Sequence, residues 1–155
     1  MRAVAYSVPR GRVEADHGDG ETAVARILLV EDDGDVRATV AMMLRSGGHE
    51  VVAAADGDAG IRLFREQRFD LVLCDVHMPG RDGIEVVEEI RRSLAIPIIQ
   101  MTGSAERVSG GAHLAPRVLQ ASAKAGVLKV IAKPFRAQEL LALVRQCIES
   151  LPNPA

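Results

Sequence analysis

The sequence contains no long hydrophobic run and almost no net charge. Its longest apolar stretches, such as residues 51–55, span about five residues, whereas a membrane-spanning helix needs about 20. The 19 basic and 21 acidic residues give a formal net charge of −2, which indicates no basic surface for nucleic acid or for an anionic membrane. We therefore expect a protein that binds neither nucleic acid nor membrane.

The sequence is also poor in cysteine and has no histidine cluster. Its two cysteines, Cys74 and Cys147, lie in apolar segments, as buried thiols do in a reducing compartment, so we expect a cytoplasmic protein. A disulfide or a metal ion between them is the less favoured alternative. The histidines lie in separate segments without the spacing of zinc ligands: His17, His49, His77 and His113.

Length and composition predict one globular domain. The chain has 155 residues, of which 48% are hydrophobic and 26% are charged, and this is enough for a single substantial core. Residues 1–25 contain Pro9, several glycines and scattered charges, so we expect a flexible N-terminal leader. We expect the domain to span residues 26–151, followed by a short tail at 152–155.

From residue 26 onward, short apolar runs alternate with amphipathic segments. The runs are too short for helices and lack polar alternation, which is typical of strands buried on both faces of a parallel sheet: 27–30, 51–54, 71–74, 96–99 and 127–131. Between them, apolar residues recur at helical spacing, and Asp33 or Gly34 and Asp56 are candidate helix caps. Repeated strand–helix units predict a doubly wound α/β sandwich with a five-stranded parallel sheet and five helices.

Acidic residues, a hydroxyl and a lysine follow the predicted strands. Glu31 and Asp32 follow the first strand, Asp75 the third, Thr102 the fourth and Lys133 the fifth. Because the carboxyl ends of parallel strands share one edge of the sheet, we expect these side chains to converge. Taken singly, each residue is more simply a turn residue or a helix cap. Taken together, they indicate a functional site.

Carboxylates gathered at one edge predict a bound cation. Two carboxylates about 4 Å apart repel each other by roughly 4 kcal/mol at an effective dielectric near 20. Oxygen ligands with room left for water and phosphate favour Mg²⁺ over zinc. An aspartate can attack a phosphoryl group, while a lysine and a hydroxyl bind its oxygens. The residue set therefore predicts Mg²⁺-assisted phosphoryl transfer to an aspartate.

At these residues the sequence resembles the receiver domains of two-component response regulators, over about residues 26–150. The resemblance rests on several short motifs in a fixed order and spacing: Val30-Glu31-Asp32-Asp33, Ala55-Asp56-Gly57, Asp70-Leu71-Val72-Leu73-Cys74-Asp75, Met78-Pro79-Gly80-Arg81-Asp82-Gly83, Pro97-Ile98-Ile99-Gln100-Met101-Thr102-Gly103 and Lys133-Pro134-Phe135. It implies the flavodoxin-like three-layer sandwich of that family.

The resemblance also implies a role for each site residue. Asp75 resembles the phosphoacceptor, which takes its phosphate from a partner histidine kinase or histidine phosphotransfer protein. Thr102 resembles the hydroxyl that moves towards the acyl phosphate, and Lys133 resembles the lysine that contacts it. The bond from Lys133 to Pro134 is expected to be cis, despite the usual preference for trans.

The same resemblance implies the ligands of an Mg²⁺ ion. Asp32 would bind the ion directly, Glu31 directly or through water, and Asp75 through its carboxylate. The backbone carbonyl of His77 would be a further protein ligand.

The sequence departs from the family at three places. Val130 stands where receivers commonly carry an aromatic residue, so we hypothesise that signalling uses movement of the Thr102 loop and the fourth helix instead. Residues 103–115 are longer than expected and predict an extended mobile loop, with the fourth helix beginning near Ala115; a tolerated surface insertion and a partner-shaping loop are the alternatives. The His77 side chain is either a solvent-facing loop residue or a modifier of acyl-phosphate lifetime.

The function expected from these observations is that of a stand-alone, phosphorylation-dependent binding module. Its output would pass to an unknown partner protein through the fourth helix, the fifth strand and the fifth helix. A Mg²⁺-dependent phosphohydrolase would need a second aspartate where His77 stands, so it is the weaker alternative. A receiver that works without phosphate is a third alternative, which Val130 keeps open. Apart from its own phosphorylation and dephosphorylation, we expect no enzymatic activity.

Overall fold

A computed structural model describes residues 24–103, 105–108, 111–114 and 116–150, with only the backbone described at 105–108, 111–114 and 116–119. The predicted leader and tail lie almost entirely outside these residues. The described residues form seven strands: β1 Arg26–Val30, β2 Glu50–Ala54, β3 Leu71–Asp75, β4 Ile98–Thr102, β5 Ala105–Val108, β6 Gly111–Leu114 and β7 Lys129–Ala132. The same residues contain five helices: α1 Gly34–Ser46, α2 Gly57–Glu66, α3 Gly83–Ser93, α4 Pro116–Ala125 and α5 Ala137–Glu149.

Five strands form one parallel sheet in the order β2-β1-β3-β4-β7. This confirms the predicted doubly wound sheet. The chain runs from β1 outward to β2, then returns past β1 to β3, so the strand order reverses between β1 and β3. In such sheets the crevice at the carboxyl ends beside this reversal is the usual ligand site.

Two hydrophobic clusters cover the two faces of the sheet. One contains Ile27 and Leu29 and packs against α1 and α5, and the other contains Leu28 and Val30 and packs against α2, α3 and the end of α4. Because successive strand residues point to opposite faces, burial on both faces explains the unbroken apolar runs. Cys74 and Cys147 belong to different clusters and are both free thiols, so the disulfide alternative was wrong.

Aspartate side chains cap the N-termini of α1, α2 and α3. The side chain of Asp33 accepts from the backbone nitrogens of Asp35 and Val36, and Asp56 accepts from that of Ala59. Asp82 caps α3 in the same way. These bonds satisfy backbone donors that the first turn of a helix leaves unpaired. The predicted caps at 33 and 56 are therefore confirmed.

Residues 103–115 differ from the sequence prediction. Instead of an extended loop, β5 and β6 pair in an antiparallel ladder, with Ala105 opposite Leu114 and Glu106 opposite His113. Among the described residues these two strands pair only with each other, and their sequences, AERV and GAHL, contain no continuous apolar run that would mark them as strands. The predicted late start of the fourth helix is confirmed, since α4 begins at Pro116. None of the described helices has the length and apolar character to cross a membrane.

Candidate functional site

Three carboxylates meet at the carboxyl ends of β1 and β3. Val30 and Cys74 are register partners, so Glu31 and Asp32 follow one strand beside Asp75, the last residue of the other. One carboxylate oxygen from each acid lies within 4.8 Å of those from the other two. Glu31 and Asp75 are 1% and 4% exposed, whereas Asp32 is exposed. The structure thus brings together the three acidic residues that the sequence indicated.

Lys133 joins this cluster from the end of β7, the strand at one edge of the sheet. Its Nζ lies 2.7 Å from Glu31 Oε2 and 3.2 Å from Asp75 Oδ1. The lysine follows β7, and its backbone nitrogen donates to the Thr102 carbonyl at 2.8 Å. The Lys133–Pro134 bond is cis, as expected. One ammonium group therefore faces two buried carboxylates.

Burial and charge set the protonation behaviour of this pair. Burial raises the pKa of Glu31, the negative charge of Asp75 raises it further, and the hydrogen bond from Lys133 opposes both effects. Burial alone would lower the pKa of Lys133. The hydrogen bond to Glu31 and the nearby carboxylate charges outweigh burial, so the Lys133 pKa is raised. The lysine stays cationic and leaves the acidic cluster with an excess of negative charge.

Thr102 ends β4, the strand between those that carry Asp75 and Lys133. It is 0% exposed, and it is paired with Ala132 of β7. Asp75 is paired with the preceding residue, Met101. Thr102 therefore lies at the same rim of the sheet as the acidic cluster.

The loop after Asp75 is fixed at both ends by backbone hydrogen bonds. Val76 donates its backbone N–H to the Met101 carbonyl at 2.9 Å and accepts from the Gly83 nitrogen at 2.8 Å. The side chain of His77 in this loop is exposed. Sequence reasoning quoted Gly83 only as part of a motif, although an Asp-Gly pair at a helix start was the available indication of its structural role.

The donor set fits a hard divalent cation. The group consists of carboxylate oxygens alone, without a nitrogen or sulfur ligand, and Mg²⁺ and Ca²⁺ prefer such oxygens. Asp32 keeps the group open to solvent on one side, which leaves space for the water molecules that Mg²⁺ usually retains. Glu31, Asp32 and Asp75 could therefore hold a magnesium ion.

An apolar groove lies beside the site. It runs between α1 and the segment after Lys133 and is lined mainly by Val36, Val40, Met43, Pro134 and Phe135. Lys133 also borders it, and the same residue contacts Glu31 and Asp75 of the carboxylate cluster.

Comparison with known proteins places this geometry in a family. The family model described as "Response regulator receiver domain" matches residues 27–145. The chain is 32% identical over 132 residues to the transcriptional regulatory protein PdtaR of Mycobacterium tuberculosis, covering 84% of this chain and 60% of that protein. It is 47% identical over 76 residues to AfsQ1 of Streptomyces coelicolor, covering 49% and 34%. The chain thus spans about a third to three fifths of the length of these curated relatives.

Solved structures show the same fold. The chemotaxis protein CheY4 of Vibrio cholerae superposes with a TM-score of 0.71 at 29% identity, covering 81% of this chain and 99% of that one. NtrX of Brucella abortus superposes with a TM-score of 0.72 at 27% identity, covering 82% and 28%. The residues matched by the family model, 27–145, include Glu31, Asp32 and Asp75 of the acidic cluster. The chain therefore belongs to the response regulator receiver domain family.

Proposed function

We propose that this receiver domain is phosphorylated on Asp75 by a histidine kinase or a histidine phosphotransfer protein, in a reaction that requires Mg²⁺. The observation that carries the proposal is the position of Asp75, buried between two other acids and 3.2 Å from the Lys133 ammonium. Our proposed division of the chain is a leader at residues 1–25, a receiver domain at 26–151 and a tail at 152–155. We place the protein in the cytoplasm.

The chemistry needs few groups from the protein. The Asp75 carboxylate attacks the phosphorus of a partner phosphohistidine, the P–N bond breaks, and the leaving imidazole takes up a proton. Lys133 binds an oxygen of the transferred phosphoryl group through its ammonium, and the Thr102 hydroxyl binds another after moving towards it. Positioning and electrostatic stabilisation provide most of the rate in such transfers.

Mg²⁺ would be held by Glu31, Asp32, Asp75 and the backbone carbonyl of His77. When bound, the ion neutralises negative charge on the phosphoryl oxygens. Glu31 is tied to Lys133 at 2.7 Å, so its carboxylate also holds the lysine beside Asp75.

The phosphodonor partner must bring its histidine to Asp75, and the groove beside Lys133 supports that approach. Its lining of Val36, Val40, Met43 and Phe135 offers an apolar contact surface directly next to the site. A helix of the partner placed there would exclude water from the reacting groups.

We propose that output occurs by phosphorylation-dependent binding of another protein to the surface formed by α4, β7 and α5. AfsQ1 and PdtaR are named as transcriptional regulators, and this chain covers only part of their length. For the receiver domain of this chain we propose action as a stand-alone module. We propose no direct contact with nucleic acid or membrane, since the net charge is −2.

The test is phosphorylation by a small phosphodonor, such as acetyl phosphate, followed by intact mass measurement. We expect one phosphoryl group per wild-type chain with Mg²⁺ and none after chelation. Asp75→Asn should abolish the modification, whereas Asp58→Asn, a matched change at an exposed acid, should keep it. Unaltered phosphorylation of Asp75→Asn would refute the site. Hydrolysis of a phosphate ester in large molar excess over protein would favour the phosphohydrolase alternative.

A further inference from the structure

A buried polar pair joins the sheet to α4, outside the carboxylate cluster. Gln100, in the middle of β4, is 0% exposed, and Ser122 on α4 is 1% exposed. The Ser122 hydroxyl donates a hydrogen bond to Gln100 Oε1. Both residues are polar at positions where the neighbouring core is apolar.

The Gln100 amide is only half satisfied. Within the part of the chain that the structure describes, its Nε2 is buried and has no hydrogen-bond partner. An apolar side chain of the same size would avoid the cost of burying that unpaired donor. Packing alone therefore does not account for glutamine at this position. A half-paired amide can, however, exchange partners when a neighbouring element moves.

The described part of α4 is held by few groups. Between residues 120 and 125, the buried side chains are the small ones of Ser122 and Ala125. Beyond its end, Arg91 of α3 donates to the carbonyl of Gly126. A helix anchored by small side chains and hydrogen bonds shifts more readily than one locked by interdigitated large side chains. The position of residues 120–125 therefore depends on the contact with Gln100.

Gln100 also lies next to the part of β4 that enters the site. Ile99 and Met101 face the α1–α5 layer, so Gln100 and Thr102 share the opposite face, towards α4. Across the sheet Gln100 pairs with Val130. One residue of extended backbone separates Thr102 from Gln100, and one hydrogen bond joins Gln100 to α4.

We propose that the Gln100–Ser122 hydrogen bond sets the position of α4 and couples it to the state of the Asp75 site through Thr102. The inference rests on the proposed phosphorylation of Asp75. Gln100 and Ser122 are positioning residues and take no part in phosphoryl transfer. In the family that the sequence resembles, an aromatic side chain at position 130 is expected to provide such coupling. In this protein the buried hydrogen bond between Gln100 and Ser122 provides it instead.

The test measures hydrogen exchange of residues 116–126, with and without beryllium fluoride and Mg²⁺ as a mimic of the aspartyl phosphate. We expect a clear change on adding the mimic to wild type. In Gln100→Leu and Ser122→Ala that change should shrink by about fivefold or more, the lower end of typical coupling between sites. Ser122→Thr keeps the hydroxyl, so it should show the full wild-type change in exchange. Gln120→Leu, the same substitution at an exposed position on α4, should behave as wild type.

Phosphorylation of Asp75 is measured by mass in every variant, which separates the two proposals. Wild type that is not phosphorylated would overturn the proposed function and, with it, this inference. Phosphorylated variants that keep the full wild-type exchange response would overturn the inference alone. Ser122→Ala removes a single oxygen, so it decides the matter even if Gln100→Leu fails to fold.

Discussion

Gly83 packs directly against the backbone of Asp75, so closely that a Cβ at position 83 would lie 1.9 Å from the Asp75 carbonyl oxygen. The same approach lets the Gly83 nitrogen donate to the Val76 carbonyl. The obstructing atoms are backbone, which cannot swing aside as the end of a flexible side chain can. Glycine at 83 therefore fixes the point from which the Asp75 carboxylate projects.

Gly83→Ala should weaken both the fold and the site. We expect the free energy of unfolding to fall by about 1–3 kcal/mol, as overpacking does in well-packed interiors. Phosphorylation of Asp75 should slow by up to about 10²-fold, since small misplacements of a reacting group have large effects on rate. Urea unfolding and phosphodonor kinetics measure the two effects. Gly34→Ala is the control, because its Cβ would meet only Arg37 Nη2 at 3.7 Å; equal stabilities for the two variants would contradict the prediction.

Removing the Lys133 ammonium should destabilise the magnesium-free protein. Lys133→Met leaves the buried carboxylates of Glu31 and Asp75 without their counter-ion. Because an uncompensated buried charge is costly, we expect the free energy of unfolding to drop by on the order of 3 kcal/mol. Lys124→Met, at an exposed position on α4, provides the comparison in the same urea titration. Indistinguishable unfolding curves for the two variants would show that the pairing contributes little.

Magnesium should stabilise the folded protein by mass action. An ion that binds only the native state adds about 1.4 kcal/mol when present at tenfold its dissociation constant. We expect thermal unfolding of wild type to shift upward with added Mg²⁺ and the shift to be lost in Asp32→Asn. Asp58→Asn removes an acid outside the cluster and should keep the shift. A shift of the same size in both variants would mean that the ion binds elsewhere.

His49 should make stability depend on pH. This residue is 6% exposed, and its Nδ1 accepts from the Ala25 backbone nitrogen at 3.1 Å. Burial lowers the pKa of His49 from its ordinary value of 6.5, so the unfolded chain takes up a proton at a higher pH than the folded chain. The stability that neutral, buried His49 contributes is therefore fully present above pH 6.5. It is lost as the pH falls from there towards the lowered pKa of His49 in the folded state.

The measurement is urea unfolding of wild type and His49→Gln between about pH 8 and about pH 5, the range in which histidine titrates. We expect the variant to lose less stability than wild type over this range. Parallel curves for wild type and His49→Gln would contradict the prediction.

The sheet and the acidic cluster could be predicted because they depend on local patterns and one geometric rule. Strands buried on both faces leave unbroken apolar runs, and the predicted run 27–30 lies within β1. The rule that parallel strands end at one edge was enough to bring Asp32 and Asp75 together. Strand ends were less exact. Arg26 joins β1 by pairing with Glu50, and its backbone nitrogen also donates to Asp70 Oδ2, 44 positions away.

The remaining features depend on partners that are distant in the sequence. The ion pair of Lys133 with Glu31 spans 102 residues, and no local pattern specifies which acid the lysine contacts. The sequences of β5 and β6 contain no continuous apolar run, and the Gln100–Ser122 contact joins a strand to a helix through polar residues. Contacts of this kind between polar residues can be identified only when the packing of the elements is known.

The two cysteines give each layer of the sandwich its own chemical reporter. Cys74 is buried on the α2–α3 side and Cys147 on the α1–α5 side, and burial raises the pKa of both thiols. A thiolate-selective reagent should therefore label neither cysteine while its layer stays closed. Labelling followed by peptide mass analysis would give the labelling rate of each cysteine separately. The two rates would show whether the two layers open together or one before the other.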